Sequence, residues 1–188
     1  ADPHSRLEGV ASYASLEEML DAAPDIDAVA ICTPAHLRHR LASHALARGK
    51  AVLLEKPPGA TLAEVQDLKA QAEKAGLTLF AAWHSRFAPG IAAATEWLAG
   101  RRVEGVDIRW HEDVRVWHPG QAWLWEAGGM GVFDPGINAL SIVTEILPVP
   151  VHLSAAELFF PENCETPIAA DLAFAHPDGA EVTAVFDF

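Results

Sequence analysis

Two short apolar runs constrain the chain more than any other feature: AVAIC at 28–32 and AVLL at 51–54, each ending abruptly in a polar or proline-containing loop. An unbroken apolar run of this length is how a strand buried on both faces of a parallel sheet reads. Between them, Leu37, Leu41 and Ala45 fall on one face of a helix that Gly49 ends. Thr61 with Glu64 makes a capping box for a further helix running to Gly76, and Leu77 to Trp83 supply a third strand. Ser15 with Glu18 opens an earlier short helix, which Pro24 stops. Residues up to 83 therefore repeat helix and strand three times, the order of an α/β layered sheet with right-handed crossovers.

After residue 83 the rhythm changes. Residues 88–98 are helical in pattern and 103–110 alternate toward a strand, whereas 111–131 are rich in His, Trp, Pro and Gly with no steady period. Pro135 sits in the first turn of a helix expected over 133–146, and strands are expected over 151–160, 168–175 and 180–188. The division expected is 1–83 and 84–188. The first helix has no strand before it and the last strand no partner after it, so both units are expected to be partial.

Acidic residues number 26 against 13 lysines and arginines, a formal charge of -13, which argues against a nucleic-acid partner or an anionic membrane surface. Apolar residues make up 51%, enough for a packed core rather than a disordered or disulfide-stapled chain. Cys32 and Cys164 are far apart and suit buried thiols in a reducing compartment, so a cytoplasmic location is expected. No run of 18 apolar residues occurs, and the first residues, ADPHSRLEG, lack the pattern of a signal peptide.

Open α/β sheets bind ligands in the crevice at the carboxyl ends of their strands. Two loops there carry polar residues that packing does not require: Thr33-Pro34, and Glu55-Lys56 ahead of Pro57-Pro58. A lysine just after a buried strand needs solvent, a carboxylate or a ligand for its ammonium, so Lys56 is either a ligand-facing cation or a surface residue before a rigid turn. His84 follows the third strand at the same rim, as a ligand group or a structural histidine. Trp110, Trp117, Trp123 and Trp125 stand beside His111, Glu112, Asp113 and His118, a composition suited to a sugar ring and equally to an interdomain joint. Asp134 and Asn138 lie four apart on one helical face; Asp134 alone could be a helix cap, which leaves Asn138 unexplained. Metal-ligand spacings, a serine-nucleophile elbow and a phosphate-cradling loop are all missing from the sequence, so no metal is expected.

AICTP followed by LLEKPPGATLAE resembles the glucose-fructose oxidoreductase and inositol dehydrogenase (Gfo/Idh/MocA) family. The later blocks AAWHSRFAP, WHEDVRVWHPGQAWLW and GGMGVFDPGIN are similar to those of its bacterial aldose 1-dehydrogenases, which act on D-galactose or L-arabinose. The resemblance implies a partial Rossmann-like dinucleotide-binding domain without its first βαβ segment. An α+β substrate domain with a large, open, mostly antiparallel sheet follows, also partial.

The same resemblance implies NAD or NADP as cofactor, oxidation of the C1 hydroxyl of a cyclic aldose to the lactone, and a homodimer or homotetramer. Another sugar or a cyclitol as substrate, or a sugar-sensing relative without turnover, are the alternatives. Thr33, Pro34, Glu55 and Lys56 are implied to line the cofactor cleft, with Lys56 also facing the reacting hydroxyl. Asp134 is implied to be the catalytic aspartate, and His84, Glu112, Trp117, His118 and Asn138 to contact the sugar. Asn138 stands where many relatives have a histidine, and it cannot shuttle a proton at ordinary pH. Arg38 also stands where many relatives have a histidine, and it receives no role. Asp2 is not taken as the ribose-binding carboxylate.

Overall fold

The computed structural model describes residues 8–188, so Asp2 lies outside the described residues. The chain divides into two compact units, the first ending at Ala82 and the second running from Trp83 to Phe188.

In the first unit, helix α1 (Leu16–Ala22) is followed by strand β1 (Ala28–Ile31), helix α2 (Ala35–Ala47), strand β2 (Ala51–Glu55), helix α3 (Leu62–Ala75) and strand β3 (Leu79–Ala82). The three strands are parallel in the order β1-β2-β3, with Val29 opposite Val52 and Leu54 opposite Ala81. Thr61 and Glu64 form the reciprocal capping box expected for α3, and Gly76 closes it in the left-handed conformation. At α1 the Ser15 hydroxyl accepts from Glu18 N, while the Glu18 carboxylate reaches Ala14 N, one residue beyond the box.

The strands differ from expectation in one respect. They are buried on one face: Val29, Ile31, Val52 and Leu54 pack with Leu20, Leu46, Leu68 and Ala72 from the three helices, whereas Leu53 and Phe80 on the other face are exposed. The cause is topological. Right-handed crossovers that all step in one direction across a sheet place their helices on the same side, and a doubly wound sheet covers its second face with crossovers stepping the other way. The same alternation puts Cys32 on the open face, so this thiol is exposed rather than buried, and Cys164 is half-buried and likewise free.

In the second unit a 3-10 turn (His84–Phe87) leads to helix α4 (Ile91–Leu98), strand β4 (Gly105–His111), the one-turn helix α5 (Val114–Trp117), a second 3-10 turn (Ala122–Leu124), helix α6 (Phe133–Ile146) and strands β5 (His152–Phe159), β6 (Ala169–Ala175) and β7 (Glu181–Asp187). The sheet runs β4-β7-β6-β5 and is mixed: β5, β6 and β7 are antiparallel, and β4 pairs parallel with β7. Helix α6 covers one face, where Ala139 and Val143 meet Leu172, Val182 and Phe186. Gly136 is required at this contact, since a Cβ there would stand 2.6 Å from Phe186 Cδ2. Among the described residues no helix is long and apolar enough to cross a membrane.

Candidate active site

The rim of the first unit is built by one side chain that sequence reasoning left without a role. Arg38, on α2, is only 6% exposed. Its Nε donates to Thr33 O at 2.7 Å and its Nη1 to Glu55 O at 2.8 Å, with a further short contact to Pro57 O. A guanidinium has five donors in a fixed plane, so it can gather several carbonyls that a lysine would reach one at a time. Arg38 thereby ties the loop after β1 to the loop after β2, and Lys56 sits between two of the carbonyls it holds. Pro34 is the N-cap residue of α2, and Lys56 joins Pro57 through a cis peptide. The Glu55 carboxylate turns back to accept from Lys56 N at 2.7 Å.

The hydroxyl of Thr33 is buried at the carboxyl end of β1 with no hydrogen-bond partner among the described residues. A buried hydroxyl left unpaired is costly, so Thr33 Oγ1 is suited to pair with a polar group of a ligand. Beside it opens a cleft of about 370 Å3 lined mostly by apolar side chains such as Leu16, Met19, Val29 and Ile31, with Tyr13, Ser15 and Thr33 as its polar groups. An orphaned hydroxyl next to open space at the carboxyl edge of a parallel sheet fits the polar part of a dinucleotide.

In the second unit the structure brings His118 and Asp134 together. Asp134 lies in the first turn of α6, after the N-cap residue Val132, so it does not cap the helix. It is 7% exposed, and its Oδ2 is 3.4 Å from His118 Nε2. The other ring nitrogen of His118 lies 3.4 Å from Gln121 Oε1, which also accepts from Trp123 Nε1 at 3.1 Å. The imidazole stands edge-on to Phe188 with ring centres 5.6 Å apart, and Phe188 in turn packs on Trp125. A cleft of about 450 Å3 opens here, lined by His118, Gln121 and Trp125 among others.

The segments around Leu124 and Val132 are tied together by the loop between β5 and β6, which gave no sequence signal for this role. Thr166 donates to Leu124 O at 2.8 Å in a buried contact, and Val132 N donates to Pro167 O at 2.8 Å. Gly131, at φ +51, meets the same loop; a Cβ there would lie 2.3 Å from Pro167 O. The glycine thus permits both the turn before α6 and its close approach to the loop between β5 and β6.

The other sequence-selected residues are placed less tightly. Asn138 is one helical turn after Asp134 and accepts from Ser85 Oγ at 3.0 Å, and His84 Nδ1 is 3.4 Å from the same hydroxyl. Glu112 accepts from Trp110 Nε1 at 2.7 Å. Trp117 is 66% exposed and does not line the cleft. Asp113 caps α5 and pairs with Arg115, and the charge-assisted hydrogen bonds hold its carboxyl below the usual range while raising the guanidinium. His39 bonds Asp67 at 2.7 Å, and its hydrogen bond with that of Gln71 lowers the Asp67 carboxyl.

A parallel sheet with its ligand rim at the strand ends defines the first unit as one of the nucleotide-binding α/β class. More narrowly, the chain belongs to the Gfo/Idh/MocA oxidoreductase family, whose NAD-binding Rossmann-fold model matches residues 4–83. It is 51% identical over 180 residues to galactose 1-dehydrogenase of Pseudomonas fluorescens, covering 96% of this chain and 58% of that one. It is 34% identical over 137 residues to trans-1,2-dihydrobenzene-1,2-diol dehydrogenase of Bos taurus, covering 72% and 40%. The crystal structure of D-galactose-1-dehydrogenase from Rhizobium etli matches with a TM-score of 0.91 and 57% identity, covering 99% of this chain and 60% of that one. The chain therefore spans less than two thirds of the length of these relatives.

Proposed function

We propose that this chain carries the catalytic part of an NAD(P)-dependent aldose 1-dehydrogenase that oxidises the C1 hydroxyl of a cyclic sugar such as D-galactose or L-arabinose to the lactone. The observation that carries the reading is the buried Asp134 beside half-buried His118, with Asn138 one turn further along α6, in a chain more than half identical to galactose dehydrogenases over nearly its whole length.

Thr33 and Pro34, with Glu55 and Lys56, would hold the cofactor, which when bound accepts the C1 hydride. The remaining work belongs to the protein. Asp134 accepts the hydroxyl proton, and Lys56 stabilises negative charge developing on the C1 oxygen. His118, whose Nε2 stands 3.4 Å from Asp134 Oδ2, fixes the direction of that carboxylate. Asn138 orients a neighbouring hydroxyl without titrating. His84 and Glu112 supply the outer sugar contacts, and Trp117, exposed outside the cleft, is left without one.

The open face of the second sheet, where Phe159 and Val185 are exposed, supports assembly into a homodimer or homotetramer. Formation of reduced nicotinamide, followed by absorbance with galactose and arabinose against NAD and NADP in the full-length protein, tests the activity. No turnover with any aldose and either cofactor overturns it.

A further inference from the structure

The turn that leaves β3 carries a serine with no role so far, and its hydrogen bonds give it one. Ser85 Oγ donates to Asn138 Oδ1 at 3.0 Å, and the same oxygen lies 3.4 Å from His84 Nδ1. A serine hydroxyl has one proton and two lone pairs. With its proton given to Asn138, the contact with His84 is satisfied only if His84 Nδ1 carries a hydrogen. That tautomer leaves His84 Nε2 an acceptor, while the Asn138 amide turns its NH2, a donor, away from Ser85.

Reversing the chain is equally consistent with serine chemistry. Asn138 Nδ2 then donates to Oγ, the hydroxyl donates to His84 Nδ1, and the outward groups become an amide oxygen and an Nε2–H. In both arrangements the outward pair is one donor and one acceptor. We infer that Ser85 is a positioning residue that couples Asn138 to His84, so that together they present complementary polarity to two hydroxyls of the sugar. This rests on the functional reading above.

The turn has a second anchor. Arg86 pairs with Glu145, binding the turn to α6 without Ser85, so removing the hydroxyl should release the coupling rather than the turn. The test uses the full-length protein with D-galactose as the varied substrate. Ser85→Ala is expected to raise the KM for galactose roughly five- to tenfold, the value of one ordinary hydrogen bond, with kcat within about twofold and the KM for NAD unchanged. Ser85→Thr, which keeps the hydroxyl, should restore the KM. In an Asn138→Ala background, Ser85→Ala should add nothing further, because the group it positions is gone.

An unchanged KM in Ser85→Ala, an equal rise in the Asn138→Ala background, or loss of the folded state would each overturn the role. Failure of the broader reading looks different. A wild-type protein that reduces no nicotinamide with any aldose removes the sugar site itself, whereas an active wild type with an unaffected Ser85→Ala removes only the coupling.

Discussion

The two units hold their functional groups by opposite means. At the rim of the first, main-chain carbonyls from two loops converge on one buried guanidinium, so the backbone flanking Lys56 is fixed through Arg38. In the second, side chains hold side chains: Asp134 is met by His118, His118 by Gln121, and Asn138 by Ser85. A rim fixed through its backbone depends on very few residues but fails as a whole if they go. A cluster of side-chain contacts loses function in steps.

Arg38→Met is expected to have the largest effect, since it strips donors from the carbonyls of Thr33, Glu55 and Pro57 together. Loss of charge-assisted hydrogen bonds in a buried setting should cost on the order of 3 kcal/mol of stability. Chemical denaturation reads this directly, and a midpoint equal to wild type would mean that the rim is held by something else. Gly136→Ala, under the second cluster, is expected to cost about 1–2 kcal/mol net. Helix propensity favours alanine by up to about 1 kcal/mol, but the new Cβ meets the fully buried Phe186 ring, and overpacking of that kind costs roughly 1–3 kcal/mol. A variant more stable than wild type would show that the ring can move aside.

Substitutions at the chemical groups should separate function from stability. Lys56→Met and Asp134→Asn are each expected to lower sugar-dependent nicotinamide reduction at least about tenfold, corresponding to roughly 1.4 kcal/mol of transition-state stabilisation. Near-wild-type turnover in both, with folding intact, would remove the catalytic assignment. Because the two groups come from different units, a drop confined to one of them would also tell which unit carries the proton transfer.

The same contrast explains what the sequence made legible. Strand runs such as AVLL, the Thr61–Glu64 box and the Glu55-Lys56-Pro57-Pro58 rim are local patterns, and their place at the carboxyl edge follows from topology alone. Arg38 was invisible as a clamp because its three acceptors are carbonyls as far as 19 residues away, and a backbone carbonyl looks the same in every residue. In the second unit the helical spacing of Asp134 and Asn138 was readable, but the partners were not. His118 and Asp134 are 16 positions apart across a segment without period, and Thr166 lies 42 residues from Leu124. One-sided burial of β1 was also missed, because an apolar run does not say on which side its crossovers lie.

Thr166 gives the smallest and sharpest test of the side-chain-held cluster. Its hydroxyl donates to Leu124 O inside the protein, and that carbonyl also accepts from Gly131 N, so it keeps one partner when the hydroxyl is lost. Thr166→Val, nearly equal in volume, should therefore cost only about 1 kcal/mol, one neutral hydrogen bond without a large desolvation penalty. Thr166→Ser should stay closer to wild type, because it keeps the donor and loses only a methyl group. If the loop merely fills space, the order reverses, and Thr166→Ser becomes the less stable of the two. If the tie steadies His118 and Asp134, Thr166→Val should also raise the KM for the sugar while leaving that for NAD unchanged, since NAD binding is assigned to the other unit.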